Sequence, residues 1–331
     1  MSKQKFIQAL HERSLDQMQN IPKSDLHSHA GRGGTISYIE QWTNVKITPP
    51  GEPFASLGEM NRWLNDHVKI HCPGVSGYLK RVEAAFAQAK HDHIKILAMS
   101  YGADEIDSLG TMDDFAAVMN GLRECFAPDM DFYPDLALGN AQDVAAEQSR
   151  LDELFAAGWF KGIDICNYSN HYTFQELKSI CRKARASGLT LKAHIGEFGG
   201  PDEVMRYAEE LALDEIQHGV SAADSPQIMR WLARNCIQLN VCPTSNVMLK
   251  NSEGYASHQI RKLFDFGVPV TINTDDLMIF NATVSQEYLN LFNAGLMAAE
   301  ELNLIRETGL KYHPLAKQPG TSADVPFGEP T

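Results

Sequence analysis

Lys23-Ser24-Asp25-Leu26-His27-Ser28-His29 reads as a short β-strand that ends in two histidines one residue apart. Side chains alternate across a strand, so both imidazoles point to the same side and can share an ion. Alone, a His-x-His pair is as readily two polar residues at a strand end. What lies downstream turns it into an argument about fold. Short β-branched or apolar runs recur at residues 94–100, 132–138, 162–166, 189–194, 215–218, 237–242 and 268–273, and helix-patterned segments such as 144–157, 173–187, 201–213 and 225–235 separate them. Thr173 and Ser225 stand where N-caps belong, and Gly188 where a helix should stop. This alternation is the pattern of βα units around a parallel sheet, and eight strands close a (β/α)8 TIM barrel. The expected fold is α/β, one barrel domain spanning residues 1–331.

Two segments depart from the alternation. Residues 47–74 exceed a standard βα loop, contain the turn Pro49-Pro50-Gly51 and continue into a helical pattern at 57–68. A helical lid inserted after strand 1 is expected there, with Met60, Trp63 and Leu64 on one face, as packing residues are. Residues 312–331 are rich in Pro and Gly without periodicity and are expected to form an irregular tail.

Composition narrows the function. Asp and Glu outnumber Lys and Arg by 42 to 29, so a net charge of −13 repels phosphate backbones, and no nucleic-acid partner is expected. No run approaches the roughly 20 apolar residues of a membrane span. The polar N-terminus lacks the apolar core of a signal peptide, so no membrane role and a cytoplasmic location are expected. The six cysteines are far apart and form no Cys-x-x-Cys pair, which suits reduced thiols. Cys166 and Cys242 read as small core residues.

The unusual polar residues follow the strands. His194-Ile195-Gly196-Glu197 closes the fifth run, Gln217-His218-Gly219 the sixth, Cys242-Pro243-Thr244-Ser245-Asn246 the seventh and Thr274-Asp275-Asp276 the eighth. In a barrel these points converge at the C-terminal face. Histidines from several strand ends plus a carboxylate make a set that can bind Zn²⁺ with an open position for water. His91-Asp92-His93 is also His-x-His, yet it precedes its strand and reads as a solvated strand entry. His67 and His71 are four apart on a helix but lack the adjacent Glu of a metalloprotease signature.

These motifs, with Pro22 to His29, resemble in order the adenosine deaminase family of the amidohydrolase superfamily, over about residues 20 to 300. The resemblance implies zinc ligands at His27, His29, His194 and Asp275. It implies Glu197 as the acid that protonates the ring nitrogen beside the reacting carbon, His218 as the group orienting water, and Asp275 as a catalytic residue as well as a ligand. Asp276 would hydrogen-bond the far side of the purine. Substrate contacts are expected at His29, Asp276, Asn167, Arg32 and Gly31. One ion is expected, because no lysine ends the fourth strand; Zn²⁺ suits the donors, and Fe²⁺ or Mn²⁺ would also be accepted.

Three departures concern substrate. The family's acidic ribose contact after the second histidine is replaced by Ala30-Gly31-Arg32-Gly33-Gly34, Asn167 stands where a glycine is usual, and Leu277 replaces the usual proline. Arg32 among glycines reads either as an anion contact or as a solvent-exposed side chain on a flexible turn. Ser245 and Asn246 read as ties within the seventh loop. The expected activity is hydrolytic deamination of an amino-substituted purine, as nucleoside, base or nucleotide, with release of ammonia. A pterin or pyrimidine amine, or a catalytically silent ligand-binding homologue, are the alternatives. The oligomeric state is not legible.

Overall fold

The computed structural model describes residues 2–139, 144–166 and 172–313. Eight parallel strands follow chain order: β1 Lys23–His29, β2 Ile94–Gly102, β3 Asp131–Leu138, β4 Gly162–Ile165, β5 Thr190–Ile195, β6 Glu215–His218, β7 Gln238–Val241 and β8 Val270–Ile272. The sheet curls until β8 meets β1. There one bridge joins Ser28 to Asp275, and the Asp275 N–H donates to the His27 carbonyl at 2.9 Å. Side chains complete this seam. Leu26 N–H donates to Asn273 Oδ1 at 2.7 Å, and Thr274 gives its N–H and its hydroxyl to Asp25 at 3.2 and 2.6 Å.

Local chemistry sets the helix limits. Thr173 caps Phe174–Ala186 in a reciprocal box with Glu176, Ser225 caps Pro226–Arg234, and Gly188 turns the chain at φ +79°. The main core lies between sheet and helices, where outward strand residues such as Leu191, Ala193, Ile216 and Leu239 meet Leu177, Ile180, Ile228 and Leu232. Several inward positions are polar. Lys192, fully buried, lies 2.8 Å from Asp135 Oδ2 and 3.9 Å from Glu215 Oε2, while Asn240 donates to Glu215 and Gln217.

The insertion between β1 and β2 includes the helix Leu57–His67, whose Met60 and Leu64 are buried in a second apolar cluster with Ile36, Leu249, Met278 and Phe280. Phe54 N–H also donates to the Met248 carbonyl at 2.8 Å. Because Met248 and Met278 follow β7 and β8, this segment rests against loops of the C-terminal face. His67 stacks on Trp63 and hydrogen-bonds its carbonyl instead of joining His71.

Two expectations are corrected. Tyr312 does not begin a loose tail: it is buried at the base of the barrel with Leu26, Ile96, Ala98 and Tyr133, and its hydroxyl donates to Glu215 at 2.8 Å. Residues 314–331 lie outside the described residues. Asp92 is not solvated: its carboxylate lies 3.8 Å from buried Lys23 and accepts the Ser285 N–H at 3.0 Å. A strand entry can be polar because it is ion-paired between core elements, and sequence position alone does not separate the two cases. Among the described residues, no helix is long and apolar enough to cross a membrane.

Candidate active site

β1 pairs irregularly with β2, its register shifting between Asp25 and Ser28. The bulge re-aims the strand where His27 and His29 must both turn inward. Their ring centroids lie 5.1 Å apart, and His194 from β5 stands 4.7 Å from His27 and 5.5 Å from His29. The three histidines offer ring nitrogens within 4.8 Å of one another. Asp275 Oδ1 lies 3.5 Å from His27 Nε2 and 3.3 Å from His29 Nε2. His218 completes the cluster, its ring 5.0 Å from that of His27.

Backbone strain helps to aim two of these groups. His218 and Asp275 are in the left-handed region at φ +64° and +59°, a conformation costly for non-glycine residues and concentrated at functional sites. After His194, Gly196 has φ +70°, and a Cβ there would fall 2.5 Å from Val204 Cγ2.

The electrostatics favour a bound cation. Burial pushes the His27 imidazole down to about 3, so the ring is neutral with a lone pair available. Among the described residues, both of its nitrogens are buried without a hydrogen-bond partner, a costly state that a metal ion would relieve. Burial opposes ionisation of Asp275, but the His27 and His29 rings beside it hold it well below the usual carboxylate range. A neutral His27 imidazole with orphaned nitrogens beside an ionised carboxylate suits a divalent ion.

Glu197 reaches the same space. Its Oε2 lies 3.7 Å from His218 Nε2 and 3.9 Å from His194 Nδ1. Asp276 is 2% exposed, and among the described residues its Oδ1 has no hydrogen-bond partner. Arg32 matches neither reading of the sequence, because its Nη1 donates to Asp276 Oδ2 at 2.9 Å. It is the electrostatic partner of another site residue. Nor do the neighbouring glycines leave an open anion nest. Gly31 gives its carbonyl to Arg81 at 3.0 Å, and a Cβ on Gly34 would lie 2.4 Å from Ala84 Cβ, so close packing against the helix Gly74–His91 requires them. Asn167 lies outside the described residues.

Three supporting residues escaped the sequence reading. Asp164 on β4 lies 3.3 Å from His194 Nε2 and accepts the Ser100 hydroxyl at 2.8 Å. Burial raises such a carboxyl, but His194 and the other histidines overcome it and keep Asp164 ionised. Its signal was a carboxylate inside a four-residue strand, on the same face as Gly162 and Cys166. Ser245 and Asn246 do more than tie a loop: Ser245 Oγ donates to Asp275 Oδ2 at 2.7 Å, and Asn246 Nδ2 lies 3.3 Å from His218 Nδ1. Their short helix, Pro243–Met248, is held by Glu287, which accepts the Thr244 N–H at 3.0 Å. Cys166 and Cys242 are buried, as expected of core thiols.

Comparison with known proteins bears on the family and the fold. Residues 118–317, more than half of the chain, match the family model described as adenosine deaminase. A candidate adenosine/adenine deaminase of Treponema pallidum is 27% identical over 298 residues, which is 89% of this chain and 100% of that protein. The adenine deaminase structure from Arthrobacter aurescens superposes with a TM-score of 0.72 at 18% identity, covering 87% of this chain and 92% of that one. An amidohydrolase from Burkholderia ambifaria, crystallised with bound zinc, gives 0.69 at 19% identity, covering 91% and 87%. At these identities the two structures bear on the fold alone. With the family match added to the ordered strand-end residues, the chain belongs to the adenosine deaminase family and is a hydrolytic deaminase acting on C–N bonds.

Proposed function

We propose that the substrate is an amino-substituted purine, as nucleoside, base or nucleotide, and that the reaction yields the oxo product and ammonia with one metal ion bound. The observation that carries this is the convergence of Glu197 and His218 on the four-residue set His27, His29, His194 and Asp275, with the His27 nitrogens buried and without a hydrogen-bond partner among the described residues. Those four residues would hold the ion, Zn²⁺ by donor type, with Fe²⁺ or Mn²⁺ as alternatives. When bound, such an ion lowers the pKa of a coordinated water to about 7 and so supplies a nucleophile at neutral pH.

The protein's own groups do the rest. Adding water across an aromatic C–NH₂ carbon places charge on the adjacent ring nitrogen, and Glu197 supplies the proton there from its carboxyl. His218 orients the attacking oxygen from its Nε2. Asp276, steadied by Arg32, accepts from the heterocycle through Oδ1, while Gly31 and His29 border the ring. The insertion at residues 47–74, leaning on the loops after β7 and β8, acts as a lid that limits water.

The test is ammonia release by the zinc-loaded protein across adenosine, adenine, AMP, cyclic AMP and several aminopterins, with Glu197→Gln as the blank. Turnover of a purine that the Gln variant abolishes supports the proposal. Turnover of aminopterins alone, or equal activity in the Gln variant, refutes it.

A further inference from the structure

His258 is buried beside the 3-10 turn Tyr255–Ser257. Its Nδ1 accepts the Ile260 backbone N–H at 3.1 Å, and its Nε2 lies 3.3 Å from Asn246 Oδ1. Asn246 Nδ2 in turn lies 3.3 Å from His218 Nδ1. The Asn246 backbone is itself pinned, donating to the Cys242 carbonyl at 2.9 Å and accepting from Asn251 and Ser252 at 2.8 and 3.0 Å. The chain of contacts ends at His218 Nε2, which is buried without a hydrogen-bond partner among the described residues, 3.7 Å from Glu197.

Starting from the backbone, each proton along this chain is determined. A peptide N–H only donates, so His258 Nδ1 is a lone pair and the ring proton sits on Nε2. Burial, which pushes His258 down to about 4, keeps the ring in this neutral form. The Nε2–H needs an acceptor, so Asn246 turns its carbonyl oxygen to His258 and its amide to His218. That amide also only donates, so His218 Nδ1 is a lone pair and its proton sits on Nε2, facing the site.

We propose that His258 is a positioning residue which, through Asn246, fixes His218 in the Nε2–H tautomer. The inference rests on the proposed function for its consequence: His218 enters the reaction as a hydrogen-bond donor, and Glu197 is left to carry protons.

The tautomer can be read without turnover. In ¹⁵N-histidine-labelled, zinc-loaded protein, long-range ¹H–¹⁵N spectra, assigned with His218→Gln, should show His218 protonated on Nε2 and bare on Nδ1. Asn246→Asp, nearly isosteric but an acceptor on both sides, should move the His218 proton to Nδ1 and lower kcat at least tenfold with KM little changed. His258→Gln, which keeps a donor toward Asn246, should preserve the wild-type spectrum, whereas His258→Leu should mix the two tautomers. Wild-type His218 protonated on Nδ1, or an Nε2 proton that persists in Asn246→Asp, would overturn the proposal. Because the spectra need no substrate, they decide the tautomer even if no purine is turned over.

Discussion

Replacing Arg32 with Met keeps most of the aliphatic stem and removes the guanidinium that lies 2.9 Å from Asp276 Oδ2. Hydrogen bonds to charged groups contribute about 1.5–3 kcal/mol, and orphaning a buried acceptor costs on that scale. The Arg32 side chain is 30% exposed and that of Asp276 only 4%, so water replaces part of the interaction on one side alone. The lower half of the range applies, about 1.5 kcal/mol, which is roughly tenfold in an equilibrium or a rate. Since Arg32 acts through Asp276, kcat/KM should fall about tenfold for neutral and anionic substrates alike, with metal content unchanged. A double-mutant cycle with Asp276→Asn should return a coupling of about 1–2 kcal/mol in urea unfolding. A loss confined to anionic substrates would mean that Arg32 faces the substrate directly, and a coupling near zero would mean that the ion pair does not shape the site. Either result refutes the reasoning.

Other perturbations follow from the same structure. Lys192→Met leaves Asp135 and Glu215 without their buried cation and should destabilise the fold by about 3–5 kcal/mol in urea at pH 8. Burial raises Asp135 to about 7, so it can take up a proton, and the loss should be smaller at pH 5; a loss under about 1 kcal/mol at pH 8 would contradict this. Burial likewise raises Glu287 to about 8, against its ordinary 4.5, so the folded state holds the proton more tightly than the unfolded state. The resulting stability is fully present below 4.5 and is lost as pH rises through 8, so the Tm of wild type relative to Glu287→Gln should fall steadily from pH 5 to 9, and parallel profiles would refute the assignment. Gly34→Ala would drive a methyl to 2.4 Å from Ala84 Cβ and 2.7 Å from the Ala84 carbonyl carbon, and should cost about 1–3 kcal/mol in thermal unfolding. An unchanged Tm would show that the loop moves aside.

The strands were legible because each is a short apolar run closed by polar residues, and β1 and β6 match the sequence reading residue for residue. Helix limits at Thr173, Ser225 and Gly188 were legible because caps and left-handed stops are local chemistry. His27, His29, His194, His218, Glu197 and Asp275 stand out in sequence for the same reason that they meet in space, since barrel strands deliver their last residues to one face. What escaped depends on contacts between distant segments. Arg32 looked solvent-facing or anion-facing because Asp276 is more than two hundred residues away, and Tyr312 looked like tail because the polar layer it caps is assembled from several strands. His258 gave no local sign at all, as its meaning lies in which of its nitrogens a backbone amide touches.

The seam between β8 and β1 gives the site a place in the order of assembly. The first and last strands touch through one bridge and a few side chains, and Asp275 belongs to both the bridge and the proposed ligand set. A nascent chain that has passed β5 already carries three histidines, yet the fourth ligand and the final closure arrive together some eighty residues later. With the proposed ligand set, metal capture and ring closure would finish on a single residue. An incomplete chain and a metal-stripped one share one weak point, and both should betray it first as faster amide exchange at Leu26 and Asp275.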